Sequence, residues 1–319
     1  MAAPSDFAPI AITSRSGLDE SVHFGAVVVL DTDGSIALSV GNPGAVVYPR
    51  SSNKPMQAVA MLRAGLQLEP RLLALVCASH DGTPAHVAGT VDILAGAGLD
   101  ASALGNTPGL PLDDDAARVV VCSGGGPTPL TMNCSGKHAG MLVTCTRNGW
   151  HHAGSDYLRI DHPLQLAITR VIDELADEPH DHIGIDGCGA PAHAMSLVGL
   201  ARSFRAIATG SGGSGAADVY SAMTAHPDMV GGARRDVTVL MRAVPGLMAK
   251  DGADGVFAAA LPDGRSVALK VADGGDRARP PVMVAALRAI GIEVPAADEL
   301  SSPVLGHGAR VGDVRAVLA

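Results

Sequence analysis

Apolar runs between Val22 and Val47 are interrupted by the turn-forming groups Asp33-Gly34 and Asn42-Pro43-Gly44, which predicts an antiparallel meander of three strands. The period then changes. From Ser52 onward, Met56, Val59, Ala60 and Leu62 fall on the inward face of a helix that runs to Gly65. A mainly helical middle follows over roughly residues 71–243. Its helices are expected at 84–97, 137–147, 163–176, 191–208 and 235–243, separated by glycine- and proline-rich loops such as Ser123 to Pro129. Gly210 to Gly215 reads as a flexible loop inside this region, not a linker. Strand character returns from Gly255 to Ala272 around the turn Pro262-Asp263-Gly264. A helix over Pro281 to Ile290 and a short strand near the C-terminus complete the pattern.

Strands at both ends of a helical middle predict an α+β fold. One antiparallel sheet would be built from roughly residues 10–50 and 245–319, flanked by helices, with a helical subdomain over roughly 51–244. No internal repeat divides the chain, so residues 1–319 read as a single domain.

Composition narrows the function classes. Hydrophobic residues make up 47% of the 319 residues but aromatics only 3%, so Ala, Val, Leu and Ile must build the core. The net charge of −9, with acidic residues scattered, argues against nucleic acid as a partner. There is no polybasic patch and no apolar run near the roughly 18 residues that a membrane span needs. The start Met-Ala-Ala-Pro-Ser-Asp-Phe lacks the charge and apolar stretch of a signal peptide, so a cytoplasmic location is expected. Five cysteines form no CxxC pair and are expected as thiols or metal ligands; Cys77 and Cys145, in apolar runs, read as structural.

The densest chemistry lies in Met132 to Met141. On a helix starting near Ser135, Cys134, Lys137 and His138 sit at i, i+3 and i+4, on one face of the first turn. The helix N-terminus favours thiolate there. A buried cysteine alone is usually a small hydrophobe; the company of Asn133, Lys137 and His138 points to a site instead. A second glycine-fixed loop, Asp186-Gly187-Cys188-Gly189-Ala190-Pro191, is expected just before a helix and presents Asp186 with Cys188. Two thiols bias a site toward zinc if further donors converge, and by spacing His138 or His80 is a more obvious third ligand than a lysine.

Three further motifs occur in order. Ser51-Ser52-Asn53-Lys54 is a Ser-x-x-Lys in which Ser51 Oγ and Lys54 Nζ lie one turn apart. A lysine so placed can activate a serine if burial or a nearby cation, here Arg50 or Lys137, lowers its pKa. The motif is weak alone, since Ser51 or Ser52 can serve simply as a helix cap. Ala78-Ser79-His80-Asp81-Gly82 adds a serine just after an apolar helix; its simplest reading is a C-terminal turn. Lys250-Asp251-Gly252 matches the Lys-x-Gly that accompanies Ser-x-x-Lys in penicillin-recognising enzymes, where an edge-strand glycine admits substrate to the backbone.

With Glu20-Ser21-Val22-His23, Asp161-His162-Pro163 and Lys250-Asp251-Gly252-Ala253-Asp254-Gly255-Val256, these blocks closely resemble one family over nearly the whole chain. It is the zinc-containing, thermolabile L-asparaginases of rhizobial type, class 3 or asparaginase II. Asn133-Cys134-Ser135-Gly136-Lys137-His138-Ala139-Gly140-Met141 carries most of the likeness. The resemblance implies a serine β-lactamase/glutaminase-like fold. It implies two Ser–Lys pairs, Ser51 with Lys54 and Ser79 with Lys250, Lys270 being the fallback for the second lysine. It also implies zinc held by Cys134, Lys137 and Cys188, substrate contacts from Arg50, His80 and Asp186, and a homodimer. The expected reaction is hydrolysis of L-asparagine to L-aspartate and ammonia, with Ser51 attacking the amide and Lys54 as base. The rivals are a glutaminase or other small-amide hydrolase, a penicillin-interacting enzyme, and a non-catalytic amino-acid or zinc sensor on the same scaffold.

Overall fold

The computed structural model describes residues 3–295 and 297–318. Among the described residues eleven strands are formed: β1 Ala8–Arg15, β2 Leu18–Leu30, β3 Ile36–Val40, β4 Val46–Val47, β5 His182–Ile185, β6 Pro191–Ser196, β7 Met248–Gly252, β8 Val256–Ala260, β9 Ser266–Val271, β10 Pro303–Gly306 and β11 Ala309–Ala316. The main sheet runs β10-β11-β1-β2-β9-β8-β7, with β3 also paired to β2, and every pairing is antiparallel. Residues from near both ends of the sequence therefore build it: Ala11 pairs with Ala316, and Val27 with Leu269. The fold is α+β.

The helices are α1 Lys54–Arg63, α2 Pro70–Val76, α3 Pro84–Ala95, α4 Asp114–Cys122, α5 Ser135–Asn148, α6 Pro163–Ala176, α7 Leu197–Ala208, α8 Ala216–Ala225, α9 Pro227–Val230, α10 Asp236–Ala243 and α11 Arg279–Ala289. Helix α7 packs on β2, β8 and β9, and α11 packs on β9 and β11. Successive residues of β7 and β8 are buried, so both faces of this part of the sheet are covered. The core is aliphatic, with Phe204 and Phe257 among its few aromatic side chains. Among the described residues no helix is long and apolar enough to cross a membrane.

Two expected elements differ. The helix predicted over 191–208 begins only at Leu197. Ser196 ends β6, and its Oγ accepts the Gly199 amide at 2.9 Å, an N-cap that separates strand from helix. The third strand of the N-terminal meander, β4, leaves the main sheet and pairs with β6, forming the small sheet β4-β6-β5. The Cys188 loop is accordingly the tip of the β5–β6 hairpin rather than a helix lead-in.

Candidate active site

Edge strand β7 lies against the turn that precedes α1, and the contact is close because residue 252 is glycine. A Cβ there would sit 2.4 Å from Pro49 O and 2.9 Å from Ser52 Oγ. Ser52 Oγ instead donates to Lys250 O at 3.1 Å, tying the Ser-x-x-Lys turn to the Lys-x-Gly strand. Beside this junction a cavity of about 500 Å³ opens, and Arg50, Ser51, Ser79, Cys134, Asp186 and Cys188 stand on its wall.

Behind that wall are three lysines. Lys54, Lys137 and Lys250 are only 1%, 1% and 0% exposed, where an ammonium without partners would be very costly. Each has partners. Lys54 Nζ, at the start of α1, donates to Ala78 O, to Ser79 Oγ at 3.2 Å and to Cys134 Sγ at 3.2 Å. Lys137 Nζ lies 3.2 Å from Cys188 Sγ. Lys250 Nζ donates to Asp251 O and Oδ1, both at 2.6 Å, and burial pushes its pKa down to about 8. The Ser–Lys contacts thus differ from the expected pairs: Lys54 reaches Ser79, while Lys250 is held by the carboxylate next to it. Lys270 donates to Asp254 O and Val271 O, off the cavity wall.

Cys134 occupies the N-cap of α5, with Lys137 and His138 in the first turn, as the spacing predicted. The two thiols are shifted in opposite directions. The contact with Cys134 holds the Cys188 thiol well below the ordinary range, helped by Lys137 and His138 against burial. That same contact, with burial, raises Cys134, whose single S–H donates to Asn133 Oδ1 at 3.0 Å. Burial disfavours the Lys137 ammonium, but Cys188 and Cys134 outweigh it and hold its pKa above the usual value. His138 Nδ1 meets Tyr157 Oη at 2.8 Å, its Nε2 has no partner among the described residues, and burial lowers the ring to about 4. Two thiols, an amine and an orphaned imidazole nitrogen form a buried cluster of soft and borderline donors, a chemistry that fits zinc rather than a hard cation. Among the described residues no group of three or more His, Cys, Asp or Glu is placed to hold a metal ion.

Arg50 has a left-handed backbone (φ 52°), strained by about 1 kcal/mol for a non-glycine residue, and is pinned by ion pairs to Asp186 at 2.9 Å and to Asp254. His80 is placed differently from expectation. It is fully buried and off the cavity wall; its Nδ1 accepts the Gly82 amide at 3.1 Å and its Nε2 meets Ser135 Oγ at 2.8 Å, leaving neither nitrogen for a substrate.

The sequence profile of the L-asparaginase II family matches residues 11–316. The chain belongs to the L-asparaginase II family. No curated protein matches this L-asparaginase II chain. Among solved structures it is similar over 83% of its length to the native form of a protein called Mglu, at 14% identity and a TM-score of 0.45, and it spans 63% of the length of Mglu. It is also similar to a putative beta-lactamase from Bacteroides dorei, at 15% identity and a TM-score of 0.43, covering 83% of this chain and 93% of that one. A third likeness is to a beta-lactamase from Mycobacterium bovis, at 14% identity and a TM-score of 0.35, covering 84% and 95%.

The cavity of this L-asparaginase II chain also holds residues that sequence reasoning passed over: Arg235, Asp251, Asp276 and Arg279. Asp251 was visible only as the spacer of Lys-x-Gly. Arg235 follows Gly231-Gly232-Ala233-Arg234, and glycines beside paired arginines were the one available signal. Asp251 is buried yet held well below the carboxylate range, because Lys250, Arg235 and Arg279 overcome the cost of burial.

Proposed function

We propose that this protein hydrolyses the side-chain amide of L-asparagine to L-aspartate and ammonia by acyl transfer to serine. The observation that carries the reading is the buried Lys54 amine, in contact with Ser79 at the wall of a charged cavity in a chain of this family. In the reaction a serine Oγ attacks the amide carbon while Lys54 takes the hydroxyl proton and returns it to the departing ammonia. Water then cleaves the aspartyl ester, with Lys54 again moving the proton.

Ser79 is the attacking serine that the formed contact favours. Ser51 is the second reading, favoured by its place on the same wall one turn before Lys54. Cys134, Lys137 and Cys188 would hold zinc, which when bound supplies positive charge next to the cavity. Asp186, facing the cavity, would receive the substrate's amino group.

The test is ammonia release by the purified protein from L-asparagine and L-glutamine, with Ser79→Ala and Ser51→Ala alongside. Glutamine belongs in the test because one methylene is worth only about 1–3 kcal/mol of discrimination. Loss of turnover in Ser79→Ala with partial retention in Ser51→Ala is expected. The reverse order moves the nucleophile to Ser51, and a parent protein that releases no ammonia from either amide overturns the assignment.

A further inference from the structure

Three arginines and three aspartates line the cavity: Arg50, Arg235, Arg279, Asp186, Asp251 and Asp276. A wall with both signs in equal number suits a ligand that itself carries both, and a free α-amino acid is such a ligand. The three arginines are not equally available. Arg279 directs Nε and Nη2 to Asp236, and Nη1 to Gly252 O and Asp276. Its guanidinium also lies 5.6 Å from the centre of the Phe257 ring, and its side chain is 7% exposed. Arg50, like Arg235, has two of its five N–H groups engaged and about a quarter of its side chain exposed, but it is paired with Asp186, the carboxylate assigned to the substrate's amino group, and with Asp254.

Arg235 differs from Arg279 in its free donors and from Arg50 in its partners, Asp251 and Asp81. Its guanidinium has five N–H donors, yet it makes one hydrogen bond to Asp251 and a long one of 3.5 Å to Asp81, and a quarter of its side chain is open to the cavity side. Asp251 fixes the fork from behind, being itself fixed by Lys250 at 2.6 Å. Neighbouring Arg234 does not share this work, because it turns outward to Asp113 and Asp115. The backbone next to Arg235 also adjoins the candidate nucleophile: Ser79 N donates to Val230 O, and Asp81 N to Gly231 O. From Ser79 the contacts run on through Lys54 to Cys134, which packs with Cys188, two residues from Asp186. Ser79 thus shares one cavity with Arg235, whose segment adjoins its own, and with Asp186.

We propose that Arg235 receives the α-carboxylate of the amino-acid substrate, with Asp251 and Asp81 as its positioning residues. This rests on the amidohydrolase reading above and names the group that confines it to free amino-acid amides. A planar fork with three unengaged N–H groups matches a carboxylate in a way a lysine cannot.

The experiment compares kcat/KM on L-asparagine with that on its α-methyl ester, read as ammonia release, for the parent, Arg235→Gln and Arg235→Lys. Arg235→Gln should lose on the order of 100-fold on asparagine, mainly through KM, as expected when one partner of a desolvated charge pair is removed. On the methyl ester it should stay within about 3-fold of the parent, because that substrate has no carboxylate to lose. Arg235→Lys should fall between the two on asparagine. If Arg235→Gln shows no cooperative melting transition, Arg235→Lys carries the same comparison with a smaller gap. Equal losses on both substrates would overturn the role of Arg235 while leaving the reaction standing. A parent inactive on both would overturn the reaction, and this inference with it.

Discussion

Lys54 Nζ stands 3.2 Å from Ser79 Oγ, a residue 25 positions away, and is not hydrogen-bonded to Ser51 in its own motif. The Ser-x-x-Lys turn therefore delivers its lysine to a serine presented by another segment, after α2. Replacing Lys54 with Met should leave a folded protein, since a methionine fits the buried stem without a charge to desolvate. Ammonia release from asparagine should fall by about 10²- to 10⁴-fold, the usual worth of a general base. Activity within a few-fold of the parent would remove Lys54 from the chemistry.

Zinc, if it sits where the sulfurs converge, depends on Cys188. A Cys188→Ser variant should lose the metal during dialysis that leaves the parent loaded, and elemental analysis reads the difference. A full equivalent of zinc in the variant would place the ion elsewhere.

The approach of β7 to the Ser-x-x-Lys turn leaves no room for a side chain at residue 252. In Gly252→Ala the added methyl would meet Pro49 O at 2.4 Å, and that oxygen belongs to the backbone. The strand must move, at an expected cost of about 1–3 kcal/mol in unfolding free energy. Urea denaturation measures that cost, and an unchanged midpoint would show that the junction is looser than described.

His193 is buried in β6, with Nε2 on Thr169 Oγ1 at 2.8 Å, and burial lowers its pKa from 6.5 to about 4. Between those values the unfolded chain binds a proton that the folded one refuses. Stability is therefore full above pH 6.5 and is lost as pH falls toward 4, by at most about 3 kcal/mol from this group. Denaturation midpoints at pH 7 and pH 4.5 should converge partly in His193→Gln. An identical pH dependence in parent and variant would exclude this ring as a source.

Much of the architecture was written locally. The apolar period over Met56 to Leu62 marks α1, the Pro262-Asp263-Gly264 turn marks the β8–β9 hairpin, and the spacing of Cys134, Lys137 and His138 matches the first turn of α5. What was not legible depended on contacts between distant segments. The sequence offers Lys54 a serine three residues away, and only the fold brings Ser79 closer. Helix-end logic lowers the Cys134 thiol, but its contact with Cys188 and its burial raise it, and Cys188, beside Cys134 and Lys137, is lowered instead. His80 looked like a substrate contact until its two nitrogens proved occupied by Gly82 and Ser135. Arg235 has no motif at all; its place at the cavity follows from Asp251, sixteen residues later in the chain.

The junction of the two serine–lysine segments also sets when the site can come into being. Ser52 meets Lys250 across 198 residues, and β2 completes its pairing only with β9, near residue 270. Contacts of such separation are slow to form and cannot begin until the later strand exists. During synthesis the first 240 residues can build α1 to α6 and both serines, yet the wall that Asp251 and Gly252 provide, with Lys250 behind it, is still missing. Competence therefore arrives late and all at once, when β7 to β9 dock, so a ribosome-bound chain ending before β9 holds most of the site's residues without the site.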